Sequence, residues 1–194
     1  MIPMSSRLLS DEPGDRTARR AALTDEIATI VLTDGLGLLG LRGLATRMAT
    51  SSRMLLYYFG TKQALVVAVL DRINARMSVI LTTHASGPPT TPGRFLANVL
   101  ARAQQPEIAP FMRVWTEVVA RGARGEAPYD RIAADTVGAW IAWIDSRLLP
   151  ETRGQGQAEA ILSIMDGVTL LELARPGTTA QARALLPGLL DGTG

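Results

Sequence analysis

The chain has 194 residues, which leaves room for one domain or one small module joined to a larger one and excludes a long multidomain enzyme. Hydrophobic residues make up 47% and charged residues 20%, enough to bury a core, while the absence of cysteine and the single histidine exclude disulfides, zinc–thiolate clusters and thiol nucleophiles. The formal charge of +2 is local: Arg42, Arg47, Arg53 and Lys62 lie between Asp34 and Asp71 with no acidic residue among them, whereas residues 78–194 carry ten basic and eleven acidic groups.

Residues 1–16 combine Pro3, Pro13, Gly14 and scattered charge without periodicity and read as a mobile arm. They contain no signal-peptide core, and no run of about 18 uncharged apolar residues occurs anywhere, so a cytoplasmic protein with no membrane partner is expected. From Arg16 to Thr33, Leu23, Ile27, Ile30 and Val31 fall at i, i+4, i+7 and i+8, the stripe of a helix that stops at DGLG. Leu41, Leu44, Ala45 and Met48 begin a second, short helix after Gly40. A third, over about 52–59, follows Ser51, whose hydroxyl suits an N-cap.

This third helix is too short to stand alone and must be held through Leu55 and Phe59. At 100° per residue Ser52, Arg53 and Tyr57 fall opposite Leu55, while Tyr58 shares its buried side. Two short helices joined by about three residues, with a basic and aromatic outer face on the second, suggest a helix-turn-helix. A long helix from Lys62 to about Thr83 follows, with Leu65, Val69 and Ile73 at steps of four. After the loop HASGPPTTPG, helices are expected over about 93–104, 107–122, 128–149, 157–174 and 178–190, with Pro187 ending or kinking the last. No stretch alternates like a strand, so the expected fold is all-α.

Residues 22–70 resemble the DNA-binding module of the TetR family of bacterial regulators. The likeness is carried by TDGLG ending the first helix, LRGLATRMA for the second, TSS for the turn, LLYYF for the third and TKQALVVAVL opening the fourth, with no gap from the second helix through Lys62. AEAILSIMDGVTLLEL is more loosely similar to that family's C-terminal helices. Ala49 stands where a turn glycine is usual, Gly40 where a small hydroxyl residue often caps, and Leu56 where a tyrosine is frequent. Alanine tolerates a positive φ poorly and glycine has no capping oxygen, so both helix termini are weakened.

The resemblance implies an N-terminal three-helix DNA-binding module over 17–62, joined by a long fourth helix to a helical ligand-binding and dimerisation domain over 63–194. Arg42, Ser52, Arg53 and Tyr57 would face the major groove, where arginine pairs with guanine O6 and N7, and Tyr58 and Lys62 would meet phosphate. At the start of a helix, Lys62 also has the dipole and free N–H groups that attract an anion. Phe111, Trp115, Val118 and Val119 form one apolar stripe of the C-terminal half, and Val137, Trp140, Ile141 and Ile144 another; such stripes serve as core or as pocket. Because family members hold a small-molecule cavity among these helices, Phe95, Phe111, Trp115, Trp140 and Met165 become pocket candidates. For Asp166-Gly167, the favoured reading is a glycine that permits close helix contact rather than a carboxylate site.

Ile161, Met165 and Val168 make one stripe of the penultimate helix, and Leu162, Thr169 and Leu173 a second. The second stripe, with Leu185, Leu186 and Leu189 of the last helix, is expected to form the interface of a homodimer. The sequence thus reads as a regulator, in this family most often a repressor, that binds palindromic double-stranded operator DNA and is released by a small apolar effector. No catalytic residue, metal or cofactor is expected, since no metal set, nucleophile–base pair or phosphate loop is present. The alternative is a helical protein that sequesters a small molecule and whose DNA-binding module has decayed.

Overall fold

The structure, a computed structural model, describes residues 13–84 and 87–192. These residues form nine α-helices in this order: α1 (Pro13–Asp34), α2 (Leu41–Arg47), α3 (Ser52–Phe59), α4 (Lys62–His84), α5 (Pro92–Arg102), α6 (Ala109–Gly122), α7 (Tyr129–Arg147), α8 (Gln157–Ala174) and α9 (Ala180–Leu190). Among the described residues the only extended pairing is an isolated bridge between Thr90 and Leu148, so the fold is all-α.

Local chemistry explains the boundaries. Ser51 Oγ accepts the Met54 N–H at 3.1 Å and opens α3, and Thr61 Oγ1 accepts the Ala64 N–H at 3.0 Å and opens α4. Gly40 stands before α2 with no side-chain cap, and Ala49 in the turn between α2 and α3 has φ 49°, a conformation that favours glycine. Two expectations are corrected. Helix α1 begins at Pro13, inside the arm expected over 1–16, because proline is tolerated in a first turn where its missing N–H has no intrahelical partner; residues 1–12 lie outside the described residues. Helix α9 does not end at Pro187 but continues through it to Leu190, losing the one backbone bond that the proline cannot donate.

Two hydrophobic cores organise the helices. The first gathers Ile27 and Val31 of α1, Leu44 of α2, Leu55 and Phe59 of α3 and Leu65, Val66 and Val69 of α4, and it also takes in Val114 and Val118 of α6 and Tyr129 of α7. Packing is therefore continuous across residue 62, where the sequence suggests a domain boundary, and α6 packs against α1 and residues 36–38, beside the α4 that supports α3. Asp25 on α1 locks to α4 through Arg72 Nε at 2.5 Å and Arg76 Nη2 at 2.8 Å, and hydrogen bonds from these two guanidinium groups hold its carboxyl below the usual range. The second core joins Phe95, Leu96, Val99 and Leu100 of α5, Ile144 of α7 and Ile161 and Val168 of α8. Here α9 lies against α5, and Gly93 permits the approach: a Cβ on it would stand 2.2 Å from the Pro187 carbonyl oxygen.

Candidate functional site

The buried sides of α2 and α3 leave their other sides to solvent. Arg42, Arg53, Tyr57 and Lys62 are exposed, Ser52 is half-buried, and Tyr58 is half-buried against the first core. Met54 and Leu56 are also exposed on α3, apolar groups of the kind that can meet a thymine methyl. Tyr57 and Tyr58 meet edge to face with ring centroids 5.1 Å apart. In space the basic run is not free of acid, because Arg47 Nε lies 3.4 Å from Asp34 Oδ2.

Part of this surface is absent from the sequence reading. Arg16 donates through Nη2 to the Tyr57 carbonyl at 2.9 Å, and its guanidinium sits 4.8 Å from the Tyr57 ring centroid. Arg19 borders a shallow depression with Thr50, Met54 and Tyr58, and Arg20 lies 5.5 Å from the Phe59 ring centroid. The first turns of α1 thus add positive charge beside α3. The signal was present as the run DRTARR, which has one acid among three arginines.

The second feature is a cavity of about 90 Å³ between the two cores. Its walls come from α4 (Ile73, Asn74, Met77), α6 (Phe111, Met112, Trp115), α7 (Ile132, Thr136, Trp140) and α8 (Leu162, Met165, Asp166, Thr169). Members of both cores reach it as well, Leu70, Val114 and Val118 from the first and Val99 from the second. Its polar groups are few. Asn74 Nδ2 donates to Thr136 Oγ1 at 3.2 Å, and Trp115 Nε1 donates to Asp166 Oδ2 at 3.3 Å. Burial pushes the Asp166 carboxyl above its ordinary pKa, with the Trp115 bond acting the other way.

Phe111, Trp115, Trp140 and Met165 come together at this cavity, and Phe95 does not. Phe95 is buried in the second core, one ring removed: it meets Trp143 at 5.7 Å, and Trp143 meets Trp140 at 5.4 Å, so it braces the cavity wall from behind. The expected interface residues also divide. Leu162 and Thr169 turn into the cavity, and Leu186 is half-buried against the second core. Leu173, Leu185 and Leu189 are exposed, joined by Leu170 and Leu171. Helix α8 is apolar over more than two stripes, so periodicity could not say which of them face inward. Gly167 is exposed, and a Cβ added to it would meet no described atom of the chain within 4 Å, so no helix of the same chain makes the expected close contact, while its neighbour Asp166 reaches the cavity.

Among the described residues no three His, Cys, Asp or Glu side chains group as a metal set, and no described helix is long and apolar enough to cross a membrane. No protein-family model and no curated protein matches the chain. Solved structures do. A protein from Rhodococcus sp., assigned to the TetR family of transcriptional regulators, superposes with a TM-score of 0.70 at 23% identity over 91% of this chain and 98% of its own. The multidrug binding protein EbrR, complexed with imidazole, superposes with a TM-score of 0.67 at 22% identity over 98% of this chain and 97% of its own. The chain has the TetR-family fold. That fold has an N-terminal helix-turn-helix domain and a C-terminal helical domain.

Proposed function

We propose that the protein is a one-component transcriptional regulator, a repressor, that acts in the cytoplasm, binds palindromic operator DNA as a homodimer and releases it when a small molecule enters the cavity. The observation that carries this reading is the sharing of α4 and α6 between the two sites. Leu65, Val66 and Val69 of α4 support the helix-turn-helix, while Leu70, Ile73 and Met77 one to three turns further on line the cavity. Val114 and Val118 of α6 touch the first core, and Trp115 between them lines the cavity. A ligand that fits one position of these helices better than another therefore has differential affinity for two placements of the DNA-facing surface, which is what coupling requires. A small-molecule site also accords with EbrR, described as multidrug binding.

Arg42, Ser52, Arg53 and Tyr57 are assigned to the major groove and Tyr58 and Lys62 to phosphate, with Arg16, Arg19 and Arg20 adding further positive charge. The exposed leucines of α8 and α9 are assigned to a twofold interface that would set two recognition helices on one face of the duplex. The test is titration of the protein against the DNA adjoining its own gene. Arg53→Ala should cost about 1–3 kcal/mol on the operator, whereas Lys62→Ala should weaken all sequences alike and lower the salt slope by about one. Folded protein that binds ligands but no DNA would replace this reading with the sequestering alternative.

A further inference from the structure

The cavity is lined by apolar side chains except at Asn74, Thr136, Thr169 and Asp166, and of all its lining residues only Asp166 is ionisable. Asn74 and Thr136 satisfy each other. Asp166 stands among cavity-facing neighbours of its own helix, with Leu162 one turn before it, Met165 beside it and Thr169 nearly one turn after it. Among the described residues its one hydrogen-bond partner is Trp115 Nε1, a neutral donor at 3.3 Å, longer than the roughly 2.7–2.9 Å of a charge-assisted bond. No described Arg, Lys or His faces it in the cavity wall. Asp166 is half-buried among apolar side chains, where a cation stabilises a carboxylate, and the chain places none in the cavity wall. The indoles of Trp115 and Trp140 and the ring of Phe111 share the cavity with it, and aromatic faces also attract cations.

We propose that the effector is an organic cation: a protonated amine or amidine on an apolar body of about one ring, its charge held by Asp166 and its body enclosed by the aromatic wall. This rests on the reading of the cavity as the effector site and deepens it. A cation supplies the countercharge that the cavity lacks, and the volume of about 90 Å³ limits its body to no more than about one ring. Asp166 lies on α8 and touches α6 through Trp115, so the charge sits at a helix that also supports the first core.

The test compares benzylammonium, benzyl alcohol and ethylbenzene, which share one ring and differ in charge and hydrogen bonding, by calorimetry and thermal shift on the full chain without DNA. Benzylammonium should bind about tenfold or more tighter than either neutral probe, the advantage of a charge-assisted bond. In Asp166→Asn, which keeps the shape and an acceptor for Trp115, that preference should vanish. Trp115→Phe, which removes the neutral donor and part of the aromatic wall but keeps the carboxylate, should keep it. Far-UV circular dichroism checks that each variant is folded, and a misfolded Asp166→Asn would be replaced by Asp166→Ser. Equal affinity for charged and neutral probes, tighter binding of benzyl alcohol, or a preference that survives loss of the carboxylate would overturn the proposal. Operator release by benzylammonium is read separately: charge-selective binding without release would sink the regulatory reading alone, and release by neutral probes only would sink this inference alone.

Discussion

Ile27, Val31, Leu44, Leu65 and Val69 of the first core are enclosed by the chain's own helices, whereas α9, which covers the second core, has no buried residue and leaves Leu185 and Leu189 exposed at 67% and 66%. The first core is complete within one protomer. The second is finished with polar clasps: Asp191 accepts from the Gly93 N–H at 2.7 Å and from Thr91 Oγ1 at 2.8 Å, and Glu172 accepts from the N–H groups of Gly177 and Thr179 and from the Thr179 hydroxyl. Hydrogen bonds of this kind orient a helix without supplying much apolar burial. The core around α1 to α4 is thus closed by apolar packing from the chain's own helices, α6 and α7 included, while α8 and α9 present leucines that a second protomer would cover.

Substitutions in the two halves should therefore fail differently. Ile27→Ala removes a fully buried side chain from the first core and should cost about 2–5 kcal/mol in urea denaturation, with no change in subunit association. Leu185→Arg should do the reverse, leaving secondary structure intact while the sedimentation mass falls from that of a dimer to 20.7 kDa at micromolar concentration. A dimer that tolerates this arginine would move the interface elsewhere.

Gly93→Ala tests the clasp directly. Its Cβ would lie 2.2 Å from the Pro187 carbonyl and 2.6 Å from the Asp191 carboxylate, so α9 must shift, at a cost of about 1–3 kcal/mol, and amide exchange should accelerate in α9 before the first core. Ala49→Gly should stabilise by about 0.5–1 kcal/mol, since glycine relieves the left-handed turn at φ 49° but loses more chain entropy. Unchanged thermal stability would show that the relief only balances the lost entropy, and a fall in stability that the turn carries no strain.

The smallest effect concerns acid. The Thr179 hydroxyl, followed by the Gly177 and Thr179 N–H groups, lowers Glu172 from 4.5 to about 2. A carboxyl depressed on folding stabilises fully above its unfolded value, so this contribution is present above pH 4.5 and is lost as pH falls towards about 2. The melting temperatures of the wild type and Glu172→Gln should converge across that window. A constant difference would mean that the clasp acts without its charge.

What was legible in the sequence is what a single helix can express by itself. Leu23, Ile27, Ile30 and Val31 lie on one stripe and are all buried, Ser51 caps α3 as its position before the helix suggests, and Ala49 occupies the backbone region that a missing glycine implies. These depend on contacts within a few residues, where helical geometry fixes the neighbours. The solvent-facing side of α3 was legible for the same reason, because only Leu55 and Phe59 could anchor so short a helix.

The remainder depended on which helix lies next to which. Arg16 meets Tyr57 across 41 residues, Arg47 finds Asp34, and Phe95 is separated from the cavity by Trp143; no local pattern encodes these distances. Helix α8 has apolar side chains at Ile161, Leu162, Ile164, Met165, Val168, Leu170, Leu171 and Leu173, so its periodicity is nearly all-round and permits several inward faces. Tertiary packing chose one, turning Leu162, Asp166 and Thr169 towards α6 and α7 and Leu170 and Leu171 outward. Sequence determines a helix's own stripes through its 3.6-residue period, but the direction in which those stripes point is settled only when several helices compete to bury them together.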